Sequence, residues 1–534
     1  MQQLFLGLAA SMLFALCAFS QGDLSKSERT RRAEAYGRTV SEVAATVARN
    51  TGESPAEYLL SGIEALYADQ RTPIPAELRQ RLERLRPGDP DRTAEFALAN
   101  LGDLPGLTFG RAVVVTVNGF RSKTDPTAGL VFQDMLISSP NGLRIGVELE
   151  GLTLFDRIVY HVDRLNLAGI NRADFVKPPI GPIWKISRVV PGSPAAEAGI
   201  VPGDRIVDVE RTKLDHDSNA KLFAAVTAAE EQAVMDEFGN RKARGSIRLA
   251  YERVETQTQV NAVVSFPYQA KVFHAPNRSK LGEPDWWLDR EAGIACIRVG
   301  AIENGSEPEF VDILENLRLQ GIKGLLLDLR WCPGGYVLPT TTLLSQFLPV
   351  GTPISKLEPL TVSPIMMTPR PEIAGGGYHP DWLTIPMAVL VNTETTGGGE
   401  MIAAALQDHK SAVVLGQRTF GKANIMSAYP IQLPGLAYRA TTGYSLRPSG
   451  GMRHRFPTSK REDPWGVKPD RGWEIPTTAE QSQLLFRQAE RLAIRRSTDR
   501  GILPADDPAE DAQRLTALKL FRKRLTELQL PRTP

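Results

Sequence analysis

Ile322-Lys323-Gly324-Leu325-Leu326-Leu327-Asp328-Leu329 is an almost wholly apolar run, and Arg330-Trp331-Cys332-Pro333-Gly334-Gly335 follows it without a break. A strand that faces water on one side alternates apolar with polar residues. A continuous apolar run suits a central parallel strand buried on both faces. On its N-terminal side, Gly293 to Val299 reads as another strand. Ser306 then opens a helix, with Glu309 three residues on in the pattern of a capping box, and Gly321 ends it. On the C-terminal side come a second apolar strand, Met387 to Val391, a helix from about Gly399 to His409, and a third strand, Val413 to Gly416. Strands alternating with helices across 285–475 predict an α/β domain.

Further out the pattern changes. In residues 140–268, Ile183 to Val190 reads as a strand, Pro191-Gly192-Ser193-Pro194 as a turn, and Ala195 to Ala198 as a short helix stopped by Gly199. A turn at Val201-Pro202-Gly203-Asp204 leads into the next strand; Asn219 to Ala229 is an amphipathic helix and Gly245 to Arg253 a further strand. Residues 25–110 are helical, with Val43, Val47, Tyr58, Leu59, Ile63 and Leu66 at helical spacing. The run Ala112-Val113-Val114-Val115-Thr116-Val117 predicts β structure over 111–150. Residues 478–534 read as two charged helices with apolar stripes of Leu484, Leu485, Leu492 and of Leu515, Leu518, Phe521, Leu525. The fold class is α+β multidomain, and a chain of 534 residues has room for three or four units.

The 63 basic and 61 acidic residues nearly balance, which removes the electrostatic case for a nucleic-acid partner. Leu4 to Phe19 is uncharged and apolar, and Ala18-Phe19-Ser20 has the small-x-small pattern of a leader-peptidase site, although Met1-Gln2-Gln3 carries no basic residue. Residues 1–20 are therefore expected to be a signal peptide, which makes the protein exported; an uncleaved membrane anchor is the alternative. Cys296 and Cys332 remain beyond that leader, as one bridge or as two buried thiols.

Four motifs in order now carry a resemblance: Asp328 to Gly335, Leu406-Gln407-Asp408, Gly416-Gln417-Arg418-Thr419-Phe420-Gly421-Lys422, and Gly466-Val467-Lys468-Pro469-Asp470. Residues 285–475 resemble the catalytic domain of the tail-specific, or carboxyl-terminal processing, serine peptidases. That resemblance implies a crotonase-like α/β core and a Ser/Lys dyad, with no metal or cofactor. A lysine serves as base only when burial or nearby positive charge lowers its pKa towards neutrality. Lys422, after the tight Phe420-Gly421 turn, matches the base. Asp408 would orient the site, and the N–H of Gly398, with that of Gly334 or Gly335, would form an oxyanion hole. His409 beside Asp408 reads as structural.

The nucleophile departs from the pattern. In the family it lies three residues before a helix-opening glutamate, here Glu400, so position 397 should hold serine. The chain has Gly397, within Thr395-Thr396-Gly397-Gly398-Gly399-Glu400. The spacing fits, since 397 lies eleven residues before Asp408 and twenty-five before Lys422. Glycine cannot be a nucleophile. Three readings stay open: a pseudopeptidase that binds without cutting, a substitute hydroxyl from Thr396 or Thr395, or a substitution at an otherwise active site.

Val190 to Asp204 resembles the PDZ domains of exported proteases, which hold a peptide C-terminus by strand addition. Gly142-Leu143-Arg144-Ile145-Gly146-Val147 is similar to the carboxylate loop and edge strand, with 150–182 as an insertion. The peptide-binding set this implies is Leu143, Arg144, Ile145, Gly146, Ala220, Phe223 and Ala224. The expected partners are C-terminal or unstructured segments of polypeptides. The membrane enters only through an uncleaved leader, and the terminal helices (478–534) could join copies of the chain into a homo-oligomer. The basic stretch Gly450 to Arg455, with Lys460-Arg461, reads as a solvated loop.

Overall fold

The structure is a computed structural model that describes residues 25–51, 54–84, 90–102, 104, 107–120, 128–132, 142–143, 147–150, 158–159, 162, 165, 185–190, 193–209, 211–213, 246–254, 256–265, 272–279, 283–360, 370–376, 379–494 and 511–529. The proposed leader lies outside these residues. The chain divides into two compact units: 1–135 with 153–179 and 426–441, and 136–152 with 180–425 and 442–534.

Among the described residues the first unit holds five helices: α1 (Lys26–Thr51), α2 (Pro55–Asp69), α3 (Ala76–Glu83), α4 (Pro90–Leu101) and α5 (Phe109–Gly119). Val43, Val47, Tyr58, Leu59, Ile63 and Leu66 all lie in its core, as the helical spacing predicts. Helix α5 corrects the β reading of Ala112 to Val117. Thr108 caps it by accepting from the Arg111 N–H at 3.1 Å. Residues 112–117 are all buried, so the helix has no polar face, and a helix buried all round loses the periodicity that separates it from a buried strand. Glycine sets the packing. A Cβ at Gly119 would lie 2.5 Å from the Ala65 Cβ, and one at Gly62 would lie 2.6 Å from the Thr116 carbonyl oxygen. Helices α2 and α5 therefore meet backbone to backbone. A strand, Gly129–Phe132, pairs antiparallel with residues 436–439.

The second unit contains a small β module and an α/β core. In the module, strands Gly142–Leu143, Val147–Leu149 and Ile186–Val189 form one antiparallel sheet. Arg205–Val209, with Thr212–Lys213, Ser246–Glu252 and Gln259–Ser265, forms another. A helical turn, Pro194–Glu197, is capped by Ser193, and Gly199 leaves it at φ +79°. The Asp204 carboxylate is fully buried and accepts from the backbone N–H of Val201 and of Val254, which closes the turn read from the sequence. The helix expected at 219–229, and with it Ala220, Phe223 and Ala224, lies outside the described residues, as do Arg144, Ile145 and Gly146. Leu143 pairs through its backbone with Val147.

The core sheet runs β1 (Trp287–Asp289), β2 (Ile294–Val299), β3 (Gly324–Asp328), β4 (Met387–Val391) and β5 (Ala412–Gly416) in that spatial order. From β2 onward every pairing is parallel. All five residues of β3 and of β4 are buried, as continuous apolar runs require. Alternate residues face opposite layers. Leu325, Leu327, Val389 and Val391 pack with α6 (Glu307–Leu319), α7 (Val337–Leu344) and α8 (Gly397–Asp408). Leu326, Ala388 and Leu390 pack under Leu518, Phe521 and Leu525 of the terminal helix α10 (Ala512–Gln529), which follows α9 (Ala479–Ile494).

Several local expectations are corrected here. Ser306 precedes α6 but makes no capping box: its hydroxyl donates back to the Glu303 carbonyl at 2.8 Å, which turns it away from the helix's N–H groups. Cys296 and Cys332 are both buried free thiols. Leu484 and Leu515 are exposed rather than part of an apolar stripe, because α9 buries Ser482 and Glu490 and α10 buries Leu518, Phe521 and Leu525. Arg453, read as part of a solvated loop, is buried. Among the described residues no helix is long and apolar enough to cross a membrane.

Candidate active site

Three segments from distant parts of the chain meet at the C-terminal ends of β3 and β4. The loop 330–335 leaves β3, the turn 392–400 leaves β4 and opens α8, and the loop 417–422 leaves β5. Backbone bonds join them. The Thr396 N–H donates to the Cys332 carbonyl at 2.9 Å, and the Phe420 N–H to the Thr395 carbonyl at 3.1 Å.

Glu400 is the centre of this assembly. It is fully buried, and one carboxylate oxygen, Oε2, accepts from the Gly397 N–H at 3.1 Å and from the Lys422 N–H at 2.6 Å. Its Oε1 accepts from the Gly421 N–H at 2.7 Å and from the Thr419 hydroxyl. Thus position 397 and Lys422, twenty-five residues apart, share one oxygen. Burial pushes the Glu400 carboxyl above its usual range, against the opposing pull of Arg453 and of these donors. Glu400 served only as a landmark in the sequence. Its signal was an acidic residue in the first turn of a glycine-rich helix start. An amide at 400 retains the shape but offers one acceptor oxygen in place of two. Glu400→Gln is expected to lower stability by about 1–3 kcal/mol. It should also speed amide exchange in 419–422 while leaving 387–391 protected; unchanged exchange in 419–422 would show that other bonds hold the loop.

The lysine loop is fixed from its other side. The Arg418 guanidinium stacks 3.4 Å from the Trp465 ring centre and donates to the carbonyls of Arg461, Asp463 and Trp465. The Arg455 guanidinium lies 4.6 Å from the same ring. Thr419 exchanges bonds with Val467 of the closing motif: its N–H donates to the Val467 carbonyl, and its Oγ1 accepts from the Val467 N–H. Asp470 receives the Val414 N–H at 2.8 Å. Burial lowers the Arg453 pKa to about 10, and its Nη2 donates to the Ser445 carbonyl and hydroxyl.

The glycine segments show which donors are open. The Gly334 and Gly399 N–H groups both lie against the Cys332 sulfur. Ile302 pairs with Gly335, donating to the Gly334 carbonyl and accepting from the Tyr336 N–H, so the pleat turns the Gly335 N–H away from Ile302. The Gly335 and Gly398 N–H groups have no acceptor among the described residues. They, rather than Gly334, are the donors available to an oxyanion. The backbones touch closely here: a Cβ on Gly334 would lie 2.5 Å from the Gly398 nitrogen.

Gly397 sits at φ +52°, where side chains are rare, yet a Cβ there would meet only the Pro333 carbonyl oxygen at 3.5 Å and the Gly334 Cα at 3.6 Å. Thr395 is no substitute nucleophile. It is buried, and its hydroxyl donates to the Leu329 carbonyl at 2.8 Å and accepts from the Asn392 N–H at 3.0 Å. Thr396 is the N-cap of α8, and its hydroxyl makes no capping bond. Asp408 does not reach the assembly directly. Burial pushes its carboxyl up, but hydrogen bonds from Arg447 and Ser449 outweigh this and hold it below the usual range. It anchors the turn 447–450, because it lies at the far end of α8 from Gly397. His409 donates from Nε2 to the Pro353 carbonyl, 2.6 Å away, a structural contact.

Comparison with known proteins agrees with this arrangement. Residues 293–471 match peptidase family S41, and residues 185–234 match the PDZ domain. The chain is 26% identical over 290 residues to the carboxy-terminal processing protease CtpA of Bacillus subtilis, covering 54% of this chain and 53% of that protein. It is also 26% identical over 297 residues to the chloroplastic carboxyl-terminal-processing peptidase 2 of Arabidopsis thaliana, covering 55% of this chain and 50% of the relative. The chain spans about half the length of the curated relatives it matches. Among solved structures, the photosystem II D1 C-terminal processing protease aligns at 18% identity with a TM-score of 0.35, covering 79% of this chain and 95% of that one. The chain thus carries an S41 peptidase segment, residues 293–471, behind a PDZ segment, residues 185–234, and is similar to the carboxy-terminal processing proteases.

Proposed function

We propose that this protein recognises C-terminal or unstructured segments of exported polypeptides and holds them at an S41-type site in which hydrolysis is weak or absent. The observation that carries this reading is Gly397, which puts no side chain where the lysine loop and the open glycine N–H groups meet. The intact remainder supports retained binding. The Gly335 and Gly398 N–H groups can receive a carbonyl or carboxylate oxygen, and Glu400 fixes the Lys422 loop beside them. The PDZ segment supports recognition of a free carboxyl terminus. Export through the leader at 1–20, with membrane anchoring as its alternative, belongs to the same proposal. So does the crotonase-like type for the core, which the run of parallel strands with interleaved helices supports.

Fluorescence anisotropy with labelled tail peptides tests it. A peptide with a free carboxyl terminus should bind, its C-terminal amide should bind about tenfold or more weakly, and mass spectrometry should find the bound peptide intact. Equal binding of acid and amide would remove the tail-recognition reading. A second reading, slow cleavage by Thr396, is favoured by its uncommitted hydroxyl; hydrolysis abolished by Thr396→Val would establish it.

A further inference from the structure

Helix α9 supplies none of the three segments at the site, yet one of its hydroxyls joins two of them. Ser482 is buried. Its Oγ accepts from the Trp331 indole N–H at 2.9 Å and from the Asn392 side-chain amide at 3.2 Å, and it donates to Glu394 Oε2 at 3.2 Å. Trp331 immediately precedes Cys332-Pro333-Gly334-Gly335. Asn392 and Glu394 open the turn that carries Gly397. Both lone pairs and the proton of one hydroxyl are thus committed to the roots of the two glycine segments.

Trp331 needs such a support. Its φ is +60°, an outlier for a bulky residue, and an outlier persists only where its surroundings over-determine it. Those surroundings come largely from the C-terminal helices. The Phe486 ring lies 5.7 Å from the Trp331 ring, one turn along α9 from Ser482. Arg330, whose guanidinium lies 4.6 Å from the same indole, is gripped by Asp511 at the start of α10. The backbone N–H of Trp331 donates to Asn392 Oδ1 at 3.1 Å. Helix α9 is itself held further along, where Glu490 takes a forked bond from Arg188 of the PDZ segment and the Ala489 carbonyl accepts from Arg298.

We infer that Ser482 is a positioning residue, which sets the spacing between the glycine loop 332–335 and the 392–400 turn. This rests on reading those segments as the part of the site that contacts polypeptide. Alanine at 482 would leave the buried Trp331 indole N–H and Asn392 amide without their shared partner, while the exposed Glu394 carboxylate turns to solvent. Threonine keeps the hydroxyl. The relevant consequence is local opening of the loop rather than unfolding of the domain.

Cys332 reports on that opening, because it belongs to the loop itself. It is fully buried, its thiol donates to the Gly300 carbonyl, and burial pushes its pKa up to about 12, so alkylation requires the loop to open. Cys296 on β2 is equally buried, with its pKa also pushed up to about 12, and serves as the control. The experiment is pulsed iodoacetamide labelling of the full chain, with each cysteine followed by peptide mass spectrometry. Ser482→Ala should raise Cys332 labelling about tenfold or more while Cys296 labelling stays unchanged, and Ser482→Thr should return Cys332 to the parent rate. Unchanged Cys332 labelling in Ser482→Ala would overturn the inference. An equal rise at both cysteines would also overturn it, since that reports general destabilisation. The readout needs neither peptide nor turnover, so failure of the proposed function and failure of this inference are separate results.

Discussion

Gly397→Ser is expected to convert a chain with background hydrolysis into one that cleaves a disordered polypeptide such as casein, and Lys422→Ala in that variant is expected to abolish the gain. Removing a serine nucleophile from a working peptidase costs about 10⁶ in kcat, so supplying one to a nearly complete site has a large range to act over. The site has room. The nearest atoms to a new Cβ at 397 stand at ordinary contact distances, 3.5 and 3.6 Å. The Gly397 and Lys422 N–H groups share Glu400 Oε2, which already brings the two backbones together. Against the gain stands φ +52°, a left-handed conformation that costs a non-glycine residue about 1–2 kcal/mol. The recovered rate should therefore fall short of a full complement, at roughly 10²–10⁴ over the parent. The variant should also unfold at slightly lower denaturant. A folded Gly397→Ser chain without cleavage would show that Lys422 does not act as base for position 397.

The largest effect on stability is expected at Arg330. This side chain is 1% exposed and donates five hydrogen bonds, two to the Asp328 carboxylate, two to the Asp511 carboxylate and one to the Gln513 amide oxygen. Arg330→Met keeps bulk but leaves two carboxylates in a buried place without their cation. Breaking such a cluster from one side costs about 3–5 kcal/mol, most of it the penalty of the charges left behind. The pH dependence gives a second reading of the same cluster. Burial pushes the Asp511 carboxyl up, but the Arg330 charge and its hydrogen bonds outweigh burial and hold the carboxyl below its usual range. A carboxylate held low stabilises the fold above the ordinary carboxylate pKa, and that contribution is lost as pH falls through the lowered value. The deficit of Arg330→Met in urea unfolding should thus be full at neutral pH and narrow below about pH 4. An equal deficit at both pH values would mean that packing against Trp331, not charge, is what Arg330 contributes.

Much of the α/β core was legible without coordinates. Ile322 to Leu329 and Met387 to Val391 are apolar throughout because both faces of β3 and β4 are covered, by α6, α7 and α8 on one side and α10 on the other. The spacing that placed Gly397 before Glu400 and Lys422 was also in the sequence. Local chemistry, however, does not reveal a partner. The valine-rich run of α5 is helical because glycines 62 and 119 let two helices touch, a fact about a residue fifty positions away. Asp408 stands beside the expected motif but spends its charge on Arg447, which only folding brings near. Gly334 and Gly335 are alike as letters, and pairing with Ile302 and the Cys332 sulfur decides which N–H stays open. Sequence determined the order of the elements, the buried strands and the glycine that stands three residues before Glu400, since each depends on side-chain type at short spacing. Tertiary structure alone decided that Glu400 ties the lysine loop to the turn at Gly397 and that Ser482 joins the roots of the two glycine segments, because a hydrogen-bond partner is set by proximity in space, and residues some twenty to a hundred and fifty positions apart acquire it only in the fold.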